Sequence, residues 1–268
     1  MANLTQLKML EGLDGFLLVD KPVGIAFTSV VKAVKRKFNL VKVGHGGSLD
    51  AQASGLLVLL IGDANKFVGD VMGADREYAG TLKRGETTDT GDAWGRPIPL
   101  PPRLATLDDL KGDVFQVEPK FCAIRKEGTA EYEVVDTGDA CGRPIPLPSR
   151  LATLDDLKGD VFQIEPRFCA IRKEGTAEYE VVDTGEHKQF LAHVYRFDVK
   201  DDGAFELKAS KGVIVRALAQ DMGATLTSLR RTKIGKFDVK DAVPFDRLLT
   251  TEMKDFASCV MPLSKALL

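Results

Sequence analysis

The stretch most able to do chemistry runs from Gly44 to Gly55, Gly-His-Gly-Gly-Ser-Leu-Asp-Ala-Gln-Ala-Ser-Gly, where one imidazole, His45, and one carboxylate, Asp50, lie among closely spaced glycines. A carboxylate on such a loop can serve as nucleophile or as general base. Gly44, Gly46 and Gly47 tolerate unusual backbone angles and let a substrate approach the main chain. The apolar run Leu56-Leu57-Val58-Leu59-Leu60-Ile61 that follows is long enough to anchor the loop as a buried strand. The competing reading is a surface turn in which Asp50 bonds to its own backbone.

Other elements must position this loop. Gly15-Phe16-Leu17-Leu18-Val19-Asp20 reads as a buried strand ended by the turn Lys21-Pro22-Val23-Gly24. Thr28 or Ser29 can cap a helix whose apolar positions, Val30, Val31, Val34 and Phe38, keep helical spacing. Residues 75–82 alternate as a strand carrying Tyr78, and 85–92 form a polar loop. Two strands, Phe190–Phe197 and Ala204–Ser210, flank a Lys200–Gly203 turn, and Lys211–Gly223 turns from strand end into an amphipathic helix bearing Ile214 and Arg216. On their own, Tyr78 reads as a half-buried strand residue and Arg216 as a surface helix charge. Many short strands with few helices predict an α+β fold, a mixed and mainly antiparallel sheet flanked by helices.

With 268 residues and 44% hydrophobic content, the chain can bury a full core. No apolar run reaches the roughly 18 residues of a membrane span, and the amino terminus lacks a basic region followed by an apolar core, so a cytoplasmic location without membrane contact is expected. Cys122, Cys141, Cys169 and Cys259 lack metal-ligand spacing and are expected as reduced, buried thiols. A net charge of −2 argues against bulk attraction to nucleic acid. Local clusters can override it. Lys32, Lys35, Arg36, Lys37 and Lys42 precede the glycine loop, and Arg230, Arg231, Lys233 and Lys236 form a second group, either a basic face or two solvated surfaces.

The segment 89–135 recurs at 136–182, an offset of 47 residues, with four differences: Trp94/Cys141, Pro102/Ser149, Val117/Ile164 and Lys120/Arg167. Solenoids stack at least three such units, so two near-identical copies imply a tandem duplication inside one domain spanning 1–268. One copy is then surplus, a loop expected to leave through the proline-rich stretch at Arg96–Pro101 or its equivalent from Arg143. Its apolar residues would pack on the body, aggregate, or exchange between chains as a domain-swapped dimer.

Gly44–Asp50 resembles the Gly-His-Thr-Gly-Ser/Thr-Leu-Asp-Pro box of the bacterial tRNA pseudouridine-55 synthases, the TruB family, with Gly46 in place of Thr and Ala51 in place of Pro. The resemblance continues in order: Asp20-Lys21-Pro22-Val23-Gly24, Asp75-Arg76-Glu77-Tyr78, Gly85–Asp92, loosely Phe115–Ile124, then Lys211–Gly223 and Leu229–Phe237. Ala26-Phe27 reads as an insertion, Ile214 replaces a tyrosine, and the connection after Gly223 is short. The chain also ends before the small carboxy-terminal RNA-binding domain of many relatives, which is therefore expected to be missing.

The resemblance implies the pseudouridine-synthase fold and an isomerase acting on a uridine in the T-loop of tRNA, with no cofactor. Asp50 falls on the catalytic aspartate, Arg216 on the arginine that pairs with it, and Tyr78 on the residue that stacks on the uracil. His45, Ile214 and Leu229 would contact the everted nucleotide, and Lys35, Arg36, Arg230 and Arg231 the RNA backbone. No metal and no obligate protein partner are expected. The alternative is an RNA-binding or tRNA-folding module on the same fold that has lost turnover.

Overall fold

The computed structural model describes residues 12–100, 104–117, 121–125, 132–136, 168–172, 179–183 and 189–266. In chain order the elements are β1 (Gly15–Lys21), α1 (Phe27–Lys37), β2 (Val43–His45), β3 (Ser54–Ile61), α2 (Val68–Gly73), β4 (Arg76–Arg84), β5 (Thr87–Thr88), β6 (Pro97–Ile98) and β7 (Gly112–Val117). There follow β8 (Phe121–Arg125), β9 (Tyr132–Asp136), β10 (Phe168–Arg172), β11 (Tyr179–Asp183), β12 (Gln189–Val199), β13 (Ala204–Ala209), α3 (Val215–Asp221) and β14 (Ala224–Ile234). The chain closes with β15 (Phe237–Asp238), β16 (Val243–Pro244), α4 (Phe245–Thr250), α5 (Met253–Phe256), β17 (Val260–Pro262) and α6 (Leu263–Ala266). It divides into two compact units, Met1–Ala79 with Leu229–Leu268, and Gly80–Ser228. Pairing is mixed in the first unit and antiparallel in the ladders of the second, with helices alongside, the expected α+β class.

In the first unit β1 runs antiparallel to β3 over its whole length, from Gly15 opposite Ile61 to Lys21 opposite Gly55. Strand β17 pairs antiparallel with the other edge of β1, and β16 adds two parallel pairs. Strand β2 lies antiparallel along β3, while Arg230 and Arg231 of β14 pair in parallel with Ser54 and Gly55. Both β1 and β3 are buried almost throughout, which is why they read as continuous apolar runs rather than alternating ones. Phe16, Leu18, Leu56, Val58 and Leu60 take one face and cluster with Val71, Ile234 and Phe237.

Helix α1 buries Phe27, Val30 and Val34, and Phe38 beyond its end stacks on Phe256 with ring centroids 3.7 Å apart. The expected cap at Thr28 or Ser29 is not used. The helix begins at Phe27 after Ala26, with no side-chain cap, because an earlier start lets Phe27 bury with its ring in a T-shaped contact with His45.

In the second unit β12 pairs antiparallel with β13 and with β7, so the strand at Gly112–Val117 of the first repeat copy joins this sheet. Its counterpart at 159–164, Pro101 of the expected exit loop, the alternative exit from Arg143 and most of the second copy lie outside the described residues, while Pro97 and Ile98 of the first exit loop form the paired strand β6. The described parts of the two copies form the same hairpin: β8 and β9 pair Phe121 with Asp136, and β10 and β11 pair Phe168 with Asp183. The polar loop at 85–92 is more ordered than expected. Thr87 and Thr88 pair with Ile98 and Pro97, and Asp92 bridges to Leu226. Cys259 is a free, partly exposed thiol rather than a buried one.

Candidate active site

The loop bearing Asp50 is held by its carbonyls. Lys21, at the end of β1, is 0% exposed, and its Nζ donates to the carbonyls of Pro22 and Ile25 at 2.8 Å and of Ala51 at 3.4 Å. Arg231, 2% exposed on β14, donates from Nε to Leu56 O at 2.8 Å, from Nη1 to Ser48 O at 2.7 Å and from Nη2 to Gly47 O at 3.4 Å. Arg76, 7% exposed at the start of β4, reaches the carbonyls of Ala74 and Gly46. Three buried cations thus grip the segment Gly46–Ala51 by its main chain. Buried carbonyls need such donors, and here the donors also carry charge.

The glycines permit this wrapping. Gly55 has φ +103°, and a Cβ there would lie 2.3 Å from the carbonyl oxygen of Arg231, its parallel partner. Only glycine lets β14 approach the loop this closely. Gly47 N–H in turn donates to His45 Nδ1 at 3.3 Å, which leaves Nε2 as the protonated nitrogen of the neutral ring.

Positive potential converges on Asp50, which is itself half-buried. Burial lowers the pKa of Lys21 from 10.5 to about 8; the negative charge of Asp50 resists that fall and the Arg231 guanidinium adds to it. Burial likewise disfavours the charge on Arg231, offset by Tyr78, which also hydrogen-bonds it, and by Asp50, while Arg76 acts against it. For Arg76 burial is again the main cause of a lowered pKa, opposed by Tyr78 and Asp75. Asp50, Tyr78, Lys21, Arg76 and Arg231 therefore form one electrostatic cluster in the first unit. Tyr78 is buried, more fully than the half-buried strand residue its position suggested.

The other expected site residues separate into kinds. Lys35 and Arg36 are exposed on the last turn of α1. Arg231, expected on the RNA backbone, is corrected here: a guanidinium so buried and spent on three carbonyls holds the loop instead. Arg230 is half-exposed but engaged in a bidentate pair with Asp20, at 2.9 and 2.7 Å. Leu229 is buried, and its carbonyl accepts from Ser54 Oγ at 3.5 Å.

In the second unit, Ile214 is the residue before α3 and Arg216 lies in its first turn. Arg216 is 7% exposed, not a surface charge; its Nη1 donates to Thr90 O at 2.7 Å, and its Nε is 4.0 Å from Asp92 Oδ2.

Sequence reasoning had passed over Lys21 and Arg76. The signal for Lys21 was present: with period two it shares a face with Leu17 and Val19, both fully buried. A lysine at an inward position of an apolar strand marks a site or a structural anchor. For Arg76 no pattern distinguished it from an ordinary strand-end charge.

Comparison with known proteins identifies the family. The model of the TruB family pseudouridylate synthase N-terminal domain matches residues 35–146. Proteins named tRNA pseudouridine synthase B are similar along most of the chain. That of Opitutus terrae is 30% identical over 95% of this chain and 95% of its own length. That of Bordetella avium is 31% identical over 89% and 88%, and that of Methylobacillus flagellatus 30% identical over 89% and 70%. Among solved structures, a chain of a Cbf5-Nop10-Gar1 complex superposes with TM-score 0.55 at 19% identity, covering 97% of this chain and 63% of that one. A chain of an H/ACA RNP bound to a substrate RNA containing 2'-deoxyuridine gives 0.53 at 18%, covering 97% and 62%. These two carry the fold, and the relatives at 30% identity or more carry the family: the chain belongs to the TruB family of pseudouridylate synthases.

Proposed function

We propose that this chain converts a uridine in the T-loop of tRNA to pseudouridine, with Asp50 as the reacting carboxylate. The observation that carries the reading is the grip of Lys21, Arg76 and Arg231 on the loop that bears that acid. A carboxylate that must act on a ribose carbon needs a fixed position, and a loop tied through four carbonyls to buried cations supplies one.

The reaction breaks the bond between ribose C1' and uracil N1, turns the base, and joins C1' to C5. The proton on C5 leaves and N1 gains one, so atoms and electrons balance without a redox partner. Asp50 either attacks C1' or removes the neighbouring ribose proton. Tyr78 is the stacking partner of the everted uracil, and His45, Ile214 and Leu229 contact the nucleotide. By its motif alone, Arg216 is assigned to the Asp50 carboxylate. Lys35 and Arg36 are assigned to the phosphate backbone.

Unmodified tRNA labelled with tritium at C5 of uracil tests the proposal. Release of label by the chain, lost in Asp50→Asn and in Arg216→Met while both variants still bind tRNA, is the expected result. An Asp50→Asn variant that releases label at the original rate would sink the assignment.

A further inference from the structure

The turn that buttresses Arg216 also displays an aromatic side chain. Trp94, the single tryptophan of the chain, is 61% exposed, although an indole is among the costliest side chains to leave in water. The turn beneath it is firmly built. The carboxylate of buried Asp92 accepts from Trp94 N–H at 2.9 Å and from the Thr90 hydroxyl at 2.8 Å. Ala93 N–H donates to Leu226 O at 2.9 Å, Thr88 Oγ1 to Asp92 O at 2.7 Å, and Gly95 N–H to the same Asp92 carbonyl at 3.1 Å. At Gly95 a Cβ would lie 2.3 Å from Thr90 Oγ1, so the turn closes only around glycine.

One carboxylate therefore sets the backbone from which the indole projects and stands beside the Arg216 guanidinium. A solvent-facing aromatic side chain on a fixed turn is the arrangement that binds an unpaired nucleobase by stacking. A protein partner would instead call for a wider apolar patch, and the neighbours of Trp94 in the turn are Ala93 and Gly95.

We propose that Trp94 is a substrate-binding residue that stacks on an unpaired base of the RNA. The inference rests on the proposed function for the identity of the RNA, but it concerns binding and not turnover. It also separates the repeat copies, since the position matching Trp94 in the second is Cys141.

The test uses the full chain carrying Asp50→Asn, so that binding is read without turnover. Because the chain has one tryptophan, its emission reports this residue alone. Titration with an unmodified tRNA transcript should quench that emission saturably, at the concentration where the anisotropy of end-labelled tRNA reports binding. Trp94→Ala should weaken binding about 5- to 150-fold, the range expected for one stacked base. Trp94→Phe should stay within about threefold. The salt dependence of binding should not change in Trp94→Ala, since stacking releases no counterions.

The proposal is overturned if tRNA binds with unchanged emission and Trp94→Ala binds as tightly as the parent. It is also overturned if quenching follows protein concentration without RNA, which would mark a contact between copies. Should Trp94→Ala fail to fold, the emission of the parent protein still decides. Failure of tRNA to bind at all would defeat the function proposed above, and this inference with it.

Discussion

Placing a threonine at Gly46, as in the motif this loop resembles, should destabilise this protein, and a second substitution at Val71 should add nothing to the loss. The backbone at Gly46 lies outside the left-handed region, so a side chain is conformationally allowed there. Space is the obstacle: a Cβ would lie 2.3 Å from Val71 Cγ1 and 3.3 Å from Val58 Cβ. Val71 is buried in the apolar cluster of the first unit, and its β-branched side chain has few alternative rotamers. Overpacking of this kind costs about 3 kcal/mol. Val71→Ala alone removes two methyl groups and leaves a small cavity, costing about 2 kcal/mol. In the double variant the threonine side chain occupies the space the valine vacates. The combined loss should then be about 3 kcal/mol instead of the additive 5 or so, a coupling of roughly 2 kcal/mol. With a urea dependence of about 2 kcal/mol per molar, Gly46→Thr lowers the unfolding midpoint by about 1.5 M and the double variant by no more. Equilibrium urea unfolding followed by circular dichroism measures all four proteins. Losses that add to within about 0.5 kcal/mol, or a Gly46→Thr protein as stable as the parent, would refute the idea that Val71 fills the place of the missing side chain.

Lys21 should give stability an alkaline slope. Its folded pKa is depressed to about 8 from 10.5, so between those values the unfolded chain binds the extra proton and stability rises with pH. The gain is about 3 kcal/mol across the window, and Lys21→Met should remove it; parallel slopes in the two proteins would refute the assignment. Gly55→Ala should cost over about 4 kcal/mol, because it adds a backbone collision to a positive φ, whereas Gly24→Ala, with φ +91° and open space around it, should cost about 1 kcal/mol by thermal melts. Arg231→Leu should lose at least about 3 kcal/mol in urea, since three buried carbonyls lose a donor. Replacing Lys35 and Arg36 together by Ala should reduce the slope of log affinity for tRNA against log salt by about 2, while Arg231→Lys should leave that slope alone; the reverse pattern would place the backbone contacts elsewhere.

Much of this fold is legible in the sequence. The apolar runs of β1 and β3, the amphipathic α1 and the turn between β12 and β13 follow from period and turn chemistry, because each of those signals is local. Asp50 stood out for the same reason, an acid in a glycine loop ahead of a buried strand. Repetition of 47 residues was equally plain, yet which copy supplies a sheet strand was not, since near-identical segments carry near-identical propensities. Gly112–Val117 of the first copy pairs with β12 through contacts that connect residues far apart in the chain.

The charges were where local reading failed. Two adjacent arginines, Arg230 and Arg231, look alike in a sequence, but successive residues of a strand face opposite ways. One meets Asp20 at the surface and the other is driven inward against the carbonyls of the glycine loop. Likewise Arg76 became legible as part of a site only when β1, β3, β4 and β14 met around one segment, whereas the inward position of Lys21 is marked by the period of β1. Sequence determined which groups could react and which strands would be buried. Tertiary structure decided which cations are spent on holding the loop, because that depends on what lies across the fold from each of them.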